Sequence, residues 1–328
     1  MGIKKLDIIF YCNVTNSSGF GHGFRCAKLA KILNQYDNML SIGVKGKVSN
    51  SAKYLMLKEY PNIIFLHAAD KITSKTSFID MMFDIEDPNI YDIGYIDKIE
   101  RTSNRTIFLS SGIELPKLNN NITIIGYQPN LKNYNAHNIF WDLKYAPTYI
   151  YNKNTKEIRD ENSIFLALGG FKNNLELDII IEAINKLKYI NKVNILHSPV
   201  NSNLKINYKN IRSDLELILH KNVESIVSFL TKSTLVIASY GNLCFEALSY
   251  NASLGIIGQK SFQIEYANLL EKKKIALSIG LPSQLGVINV MKSINNLYSN
   301  RKFYYKNSSK NIPKNGLKNI ADIIIKEF

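Results

Sequence analysis

The stretch Gly19-Phe20-Gly21-His22-Gly23-Phe24-Arg25 decides the fold of this chain. An apolar run, Leu6 to Cys12, precedes it and reads as a buried first strand. Cys26-Ala27-Lys28-Leu29-Ala30-Lys31-Ile32-Leu33 follows, with its apolar residues at helical spacing. Strand, glycine-rich turn and helix together present backbone N–H groups to a phosphate-bearing ligand. The spacing departs from the dinucleotide fingerprint G-x-G-x-x-G, because Phe24 holds the third glycine's place. What sets the turn apart is His22 at the head of the helix. There a ring nitrogen reaches whatever lies over the loop, and the helix dipole favours the neutral, base-competent imidazole. The turn reads as a sugar-nucleotide site with a base built in.

Outward from that turn the chain divides in two. Its 328 residues suit two domains of roughly 150 each. Leu6–Cys12, Met39–Val44, Ile63–Leu66, Asp92–Ile96, Thr106–Ser110 and Ile122–Ile125 read as short buried strands, with helices near His22–Leu33 and Ser51–Glu59. Such alternation implies a parallel sheet covered by helices on both faces. Between about Pro129 and Asn162 the pattern dissolves into Asn, Tyr, Pro and Lys, which reads as a crossover. A second series starts at Ser163-Ile164-Phe165-Leu166-Ala167-Leu168-Gly169-Gly170. It includes a strand Thr234–Ala238 that ends in Ser239-Tyr240-Gly241-Asn242 and opens the helix Leu243–Ser249. Helices near Val287–Tyr298 and Leu317–Ile325 close it. The expected architecture is α/β: two doubly wound Rossmann-like domains, 1–145 and 146–328, facing each other across a cleft.

Composition narrows the class of partner. Hydrophobic content of 45% and charged content of 21% belong to an ordinary globular protein. No apolar run reaches the roughly 18 residues of a spanning helix, and the N-terminus carries no signal-peptide pattern. The three cysteines, Cys12, Cys26 and Cys244, show neither metal-ligand spacing nor a disulfide framework, which suits reduced thiols in the cytoplasm. The net charge of +14 comes from lysines spread along the chain, with clusters at Lys272-Lys273-Lys274 and from Arg301 to Lys318. No arginine-rich block or aromatic RNA-binding signature accompanies them, so a solvated surface is expected and nucleic acid is not. Peripheral attachment to an anionic membrane face stays compatible with this charge. Nothing in the sequence sets an oligomeric state.

Several motifs together resemble one family. Gly19-Phe20-Gly21-His22 with Arg25 and Leu29-Ala30 is similar to the N-terminal signature of the UDP-sugar hydrolases of pseudaminic acid synthesis. These PseG/SpsG-like proteins are relatives of the MurG-type glycosyltransferases with the GT-B fold. Tyr145-Ala146-Pro147 resembles the family's interdomain segment, and Leu168-Gly169-Gly170 with Asn174 its second glycine turn. Gly241-Asn242-Leu243-Cys244-Phe245-Glu246 resembles its nucleotide-binding element, and Gln263 with Ala267 keeps the spacing of a further helix. Departures fall at Asn13, where the family has an aspartate, at Tyr240, where it has a glycine, and at Phe262, where it has an asparagine.

The resemblance implies hydrolysis of a UDP-linked 2,4-diacetamido-trideoxyhexose, feeding nonulosonic acid synthesis. His22 would then be the general base that activates water against C1 while UDP leaves, with no cofactor and no metal. Imidazole chemistry fits such proton removal independently. Asp97, expected at a strand end, would orient His22 or hold a sugar hydroxyl; capping the next segment is as good a reading. Glu246, one turn into its helix, would bind the ribose, and Gly169, Gly170, Gly241 and Asn242 the nucleotide. Asn13, Gly19, Gly21, Arg25, Asn174 and Gln263 would meet the sugar or phosphates, although a surface ion pair explains Arg25 equally well. His67, His137, His197 and His220 read as structural or exposed. The alternative function is a GT-B glycosyltransferase, in which His22 serves an acceptor hydroxyl in place of water. A non-catalytic sugar-nucleotide or polyanion binder is the third reading.

Overall fold

A computed structural model of the chain describes residues 3–15, 20–80, 93–110, 112, 118–129, 137–150, 159–169, 174–197, 208–221, 223 and 225–326. The chain forms two compact units, one of Met1–Tyr149 with Asn315–Phe328, the other of Ile150–Lys314.

The first unit runs β1 (Lys4–Tyr11), α1 (Gly21–Tyr36), β2 (Ile42–Lys45), α2 (Asn50–Glu59), β3 (Ile64–Leu66), β4 (Ile72–Asp80), α3 (Ile93–Glu100), β5 (Ser103–Ser110), β6 (Thr123–Gly126) and β7 (Ile139–Trp141). Its sheet has the order β3-β2-β1-β4-β5-β6-β7, and every pairing is parallel. Parallel strands need crossover connections, and α1 is the first of them. It buries Cys26, Ala27, Leu29, Ala30, Ile32 and Leu33, the stripe that its 3.6-residue period predicts. Gly23 lets α1 come close: a Cβ there would stand 2.9 Å from Val14 Cγ2 and 3.0 Å from Met56 Sδ. It thus serves the close packing that the third fingerprint glycine serves elsewhere.

Two local readings change. The strand expected over Asp92–Ile96 is, from Ile93 onward, part of α3; Ile96 and Ile99 are buried three apart, which is a helical period. Sequence patterning also misses β4, Ile72-Thr73-Ser74-Lys75-Thr76-Ser77-Phe78-Ile79-Asp80, at the centre of the sheet. Its buried Ser74 and Ser77 satisfy each other across 3.1 Å, so a polar-looking segment is carried as core. The presumed crossover likewise contains β7 and a 3-10 turn, Leu143–Tyr145.

The second unit runs β8 (Asp160–Ala167), α4 (Asn174–Asn185), β9 (Lys192–Leu196), β10 (Glu216–His220), α5 (Val227–Lys232), β11 (Ser233–Ser239), α6 (Asn242–Ser249), β12 (Leu254–Ile257), α7 (Ser261–Lys272), β13 (Leu277–Gly280), α8 (Pro282–Ser299) and α9 (Arg301–Asn311). Its parallel sheet has the order β10-β9-β8-β11-β12-β13. β8 and β11 carry the buried apolar runs Ile164-Phe165-Leu166-Ala167 and Leu235-Val236-Ile237-Ala238, as expected of strands covered on both faces.

The last helix, α10 (Gly316–Ile325), belongs to the first unit. The expected division at residue 145 therefore differs from the observed units at the tail. Leu317, Ile320, Ala321 and Ile324 are buried, and Arg105 of β5 donates to the carbonyls of Ile323 and Ile324 at 3.1 and 3.3 Å. An apolar helix face and its orphan C-terminal carbonyls both find partners there.

Candidate functional site

Doubly wound sheets bind ligands beyond the carboxyl ends of their strands, where the strand order reverses. In the first unit that reversal lies between β1 and β4. His22, the second residue of α1, and Asp80, the last of β4, meet there: His22 Nδ1 is 2.9 Å from Asp80 Oδ1. Asp80 is fully buried, and the His22 side chain is 12% exposed.

Asp80 is held by more than the histidine. Arg25, one helical turn beyond His22, donates through Nε to Asp80 Oδ2 at 2.6 Å and through Nη2 to Oδ1. Its Nη1 donates to the Tyr127 hydroxyl at 3.0 Å. The Cys26 thiol donates to Asp80 Oδ2 at 3.6 Å. Four donors thus share the roughly four lone-pair sites of one carboxylate. Burial alone would raise the pKa of Asp80, but the charge of Arg25 and the hydrogen bonds from His22 and Arg25 outweigh it and hold the carboxyl well below the usual range. Burial also opposes the charge of Arg25, and Asp80 more than restores it. Burial and the neighbouring Cys12 thiol push Cys26 up. An ionised Asp80 only accepts, so His22 Nδ1 carries a proton, and in the neutral ring the lone pair is on Nε2. That is the tautomer of a general base.

The structure sorts the other expected residues of this unit. Asp97 lies on α3, where its Oδ1 accepts from Asn119 Nδ2 at 3.1 Å; the carboxylate beside His22 is Asp80. Arg25 is 4% exposed and paired inside the unit, so neither a surface ion pair nor a phosphate contact describes it. Asn13 accepts through Oδ1 from the Lys47 backbone N–H at 2.9 Å, bracing the ends of β1 and β2 against each other. Gly21 opens α1, and Gly19 lies outside the described residues.

In the second unit the order reverses between β8 and β11. The segments leaving these strands are tied together. Ser239 Oγ donates to the Leu168 carbonyl at 2.8 Å, and Gln259 Nε2 donates to that carbonyl and to Ser239 Oγ. Gly169 has φ +60, a left-handed conformation that favours glycine. Gly241, the N-cap of α6, is different. Its φ of 163 is extended, and among the described residues, its two chain neighbours aside, no heavy atom stands within 4 Å of where a Cβ would be. Neither backbone angle nor packing asks for glycine there, and its lack of a side chain keeps the N-terminus of α6 approachable. Asn242 begins that helix and Glu246, half-buried, lies one turn in.

Gln263 is occupied internally. Its Oε1 accepts from the backbone N–H groups of Gln259 at 2.6 Å and Lys260 at 3.3 Å, and its Nε2 donates to the Tyr240 carbonyl at 3.2 Å. It positions the α6 turn and was expected at the sugar or diphosphate. Tyr240 and Phe262 pack on Tyr266, ring centroids 5.1 and 5.6 Å away, so both aromatic departures are core residues. Gly170 and the side chain of Asn174 lie outside the described residues. Among the described residues, no cluster of three His, Cys, Asp or Glu side chains has metal-site geometry.

Known proteins share this architecture. Over 98% of its length the chain superposes on all of Acinetobacter baumannii MurG with a TM-score of 0.64 at 13% identity. It superposes on CalG4, the calicheamicin glycosyltransferase, with a TM-score of 0.65 at 10% identity, covering 97% of each chain. The fold is GT-B. Sequence likeness within that GT-B fold is more local. The chain is 32% identical over 175 residues to the UDP-N-acetylglucosamine–N-acetylmuramyl-(pentapeptide) pyrophosphoryl-undecaprenol N-acetylglucosamine transferase of Clostridium botulinum (strain Kyoto / Type A2). That match takes in 51% of this chain and 48% of the relative, so the chain spans about half the length of the curated relatives it matches. No protein-family model matches it. No helix among the described residues is long and apolar enough to cross a membrane.

Proposed function

We propose that this GT-B protein is a glycosyltransferase that moves a sugar from a UDP-linked donor to a hydroxyl of a glycan or lipid acceptor. The observation that carries the reading is the His22–Asp80 pair at the head of α1, an imidazole with its Nδ1 proton held by a buried carboxylate. His22 Nε2 takes the proton of the attacking hydroxyl, the oxygen bonds to C1 of the sugar, and the bond from C1 to the diphosphate breaks. Asp80 stabilises the imidazolium that forms. In the second unit, the backbone N–H groups at the start of α6 meet the diphosphate and Glu246 the ribose hydroxyls. The local likeness to a UDP-N-acetylglucosamine transferase supports a transferase over the hydrolase implied by the sequence motifs.

The test is UDP release and product NMR with UDP-N-acetylglucosamine, with and without a lipid-linked amino-sugar acceptor. Release that depends on acceptor is expected; equal release of free sugar in water alone would return the reading to the hydrolase. His22→Ala should lower turnover by at least about 100-fold with nucleotide affinity retained. Near-normal turnover in that variant removes His22 from the chemistry.

A further inference from the structure

The geometry points to Arg25 as a positioning residue for His22: through Asp80 it fixes which imidazole nitrogen is the base. This rests on the reading of His22 as the base, and it adds a residue with no direct part in proton transfer. Arg25 binds both oxygens of Asp80, by Nε and Nη2, so the carboxylate cannot rotate away from His22 Nδ1. A fork of two parallel N–H bonds gives orientation that a single ammonium does not. Arg25 is itself anchored from the other side, with Nη1 on the Tyr127 hydroxyl at 3.0 Å. Tyr127 is 3% exposed.

Arg25 Nη2 also lies 3.1 Å from the same His22 Nδ1, so the guanidinium stands against both members of the pair.

The experiment is long-range ¹H–¹⁵N NMR of the histidine rings in the full chain across pH, with the His22 signals assigned by His22→Gln. It needs no turnover, so it judges Arg25 even where the transferase assay fails. In the parent protein His22 should show Nδ1–H and a lone pair on Nε2. Arg25→Met frees the carboxylate to rotate, and the neutral His22 ring should then show a mixture of the two tautomers. A folded Arg25→Met protein that keeps the single Nδ1–H tautomer would reduce Arg25 to a structural ion pair. Should Arg25→Met fail to fold, Arg25→Lys keeps the charge and loses the fork. A mixture of His22 tautomers in that variant supports the positioning role, and an unchanged single tautomer overturns it.

Discussion

At the scale of the residue, His22 and Asp80 show how differently two halves of a site are written. His22 is legible because it stands inside a glycine turn between a strand and a helix. Asp80 is 58 positions away, at the end of a strand whose Ser, Lys and Thr residues hide its period, and Asp97 looked the better carboxylate. Asp80 carries a pH prediction. Its folded pKa lies below the unfolded value, so its stabilisation is present above about pH 4 and is lost as pH falls below that. Thermal unfolding of the parent should weaken on acidification from pH 5 to pH 2 or so, and Asp80→Asn should flatten that slope. At neutral pH the variant should be about 3–5 kcal/mol less stable, because Arg25 is left as an uncompensated buried charge. Glu246 offers a test of the other unit. Glu246→Ala should weaken UDP binding about tenfold or more, read by calorimetry, because hydrogen bonds to a charged group are worth about 1.5–3 kcal/mol. Unchanged affinity would dismiss the ribose contact.

At the scale of the element, the ends of β1 and β2 form one braced edge. Val14 N–H donates to the Lys47 carbonyl at 2.8 Å and Ser49 N–H to the Val14 carbonyl at 3.0 Å. Gly46 sits between them with φ +150, and a Cβ there would come 2.0 Å from the Cys12 carbonyl oxygen. Gly46→Ala should therefore destabilise the protein by about 2–4 kcal/mol through backbone strain and displacement of the Cys12 carbonyl. The check is the urea midpoint; an unchanged value would mean that this edge is held otherwise. The strand–turn–helix units starting at Leu6 and Ser163 were readable from periodicity. β4, β7, β13 and α9 were not, because their local patterns are short or polar and only pairing or packing gives them their state.

At the scale of the whole molecule, the chain's return to its first unit is the least local feature. α10 is separated from its partners α1 and β5 by the entire second unit, yet it buries Leu317, Ile320, Ala321 and Ile324 among them. Each large apolar side chain so buried contributes about 1.5–3 kcal/mol. Their sum is comparable with the total stability of about 5–15 kcal/mol expected of a domain. A chain ending at Lys314 should lose the cooperative unfolding of the first unit while the second still unfolds cooperatively, seen as one lost calorimetric transition. Two transitions in the shortened chain would show that α10 is dispensable.

The sequence by itself determined two doubly wound α/β halves, the head of α1 with His22, and the glycine turn into α6 with Glu246. All of these are local, since period, glycine placement and strand-to-helix order act within about 30 residues. The tertiary structure alone decided that Asp80 meets His22, that Arg25 is an internal clamp and that Gln263 braces the α6 turn. It also decided that the last helix belongs with the first unit. Those pairings join residues far apart in the chain, and they are set by strand order and by the need of each buried charge and carbonyl for a partner.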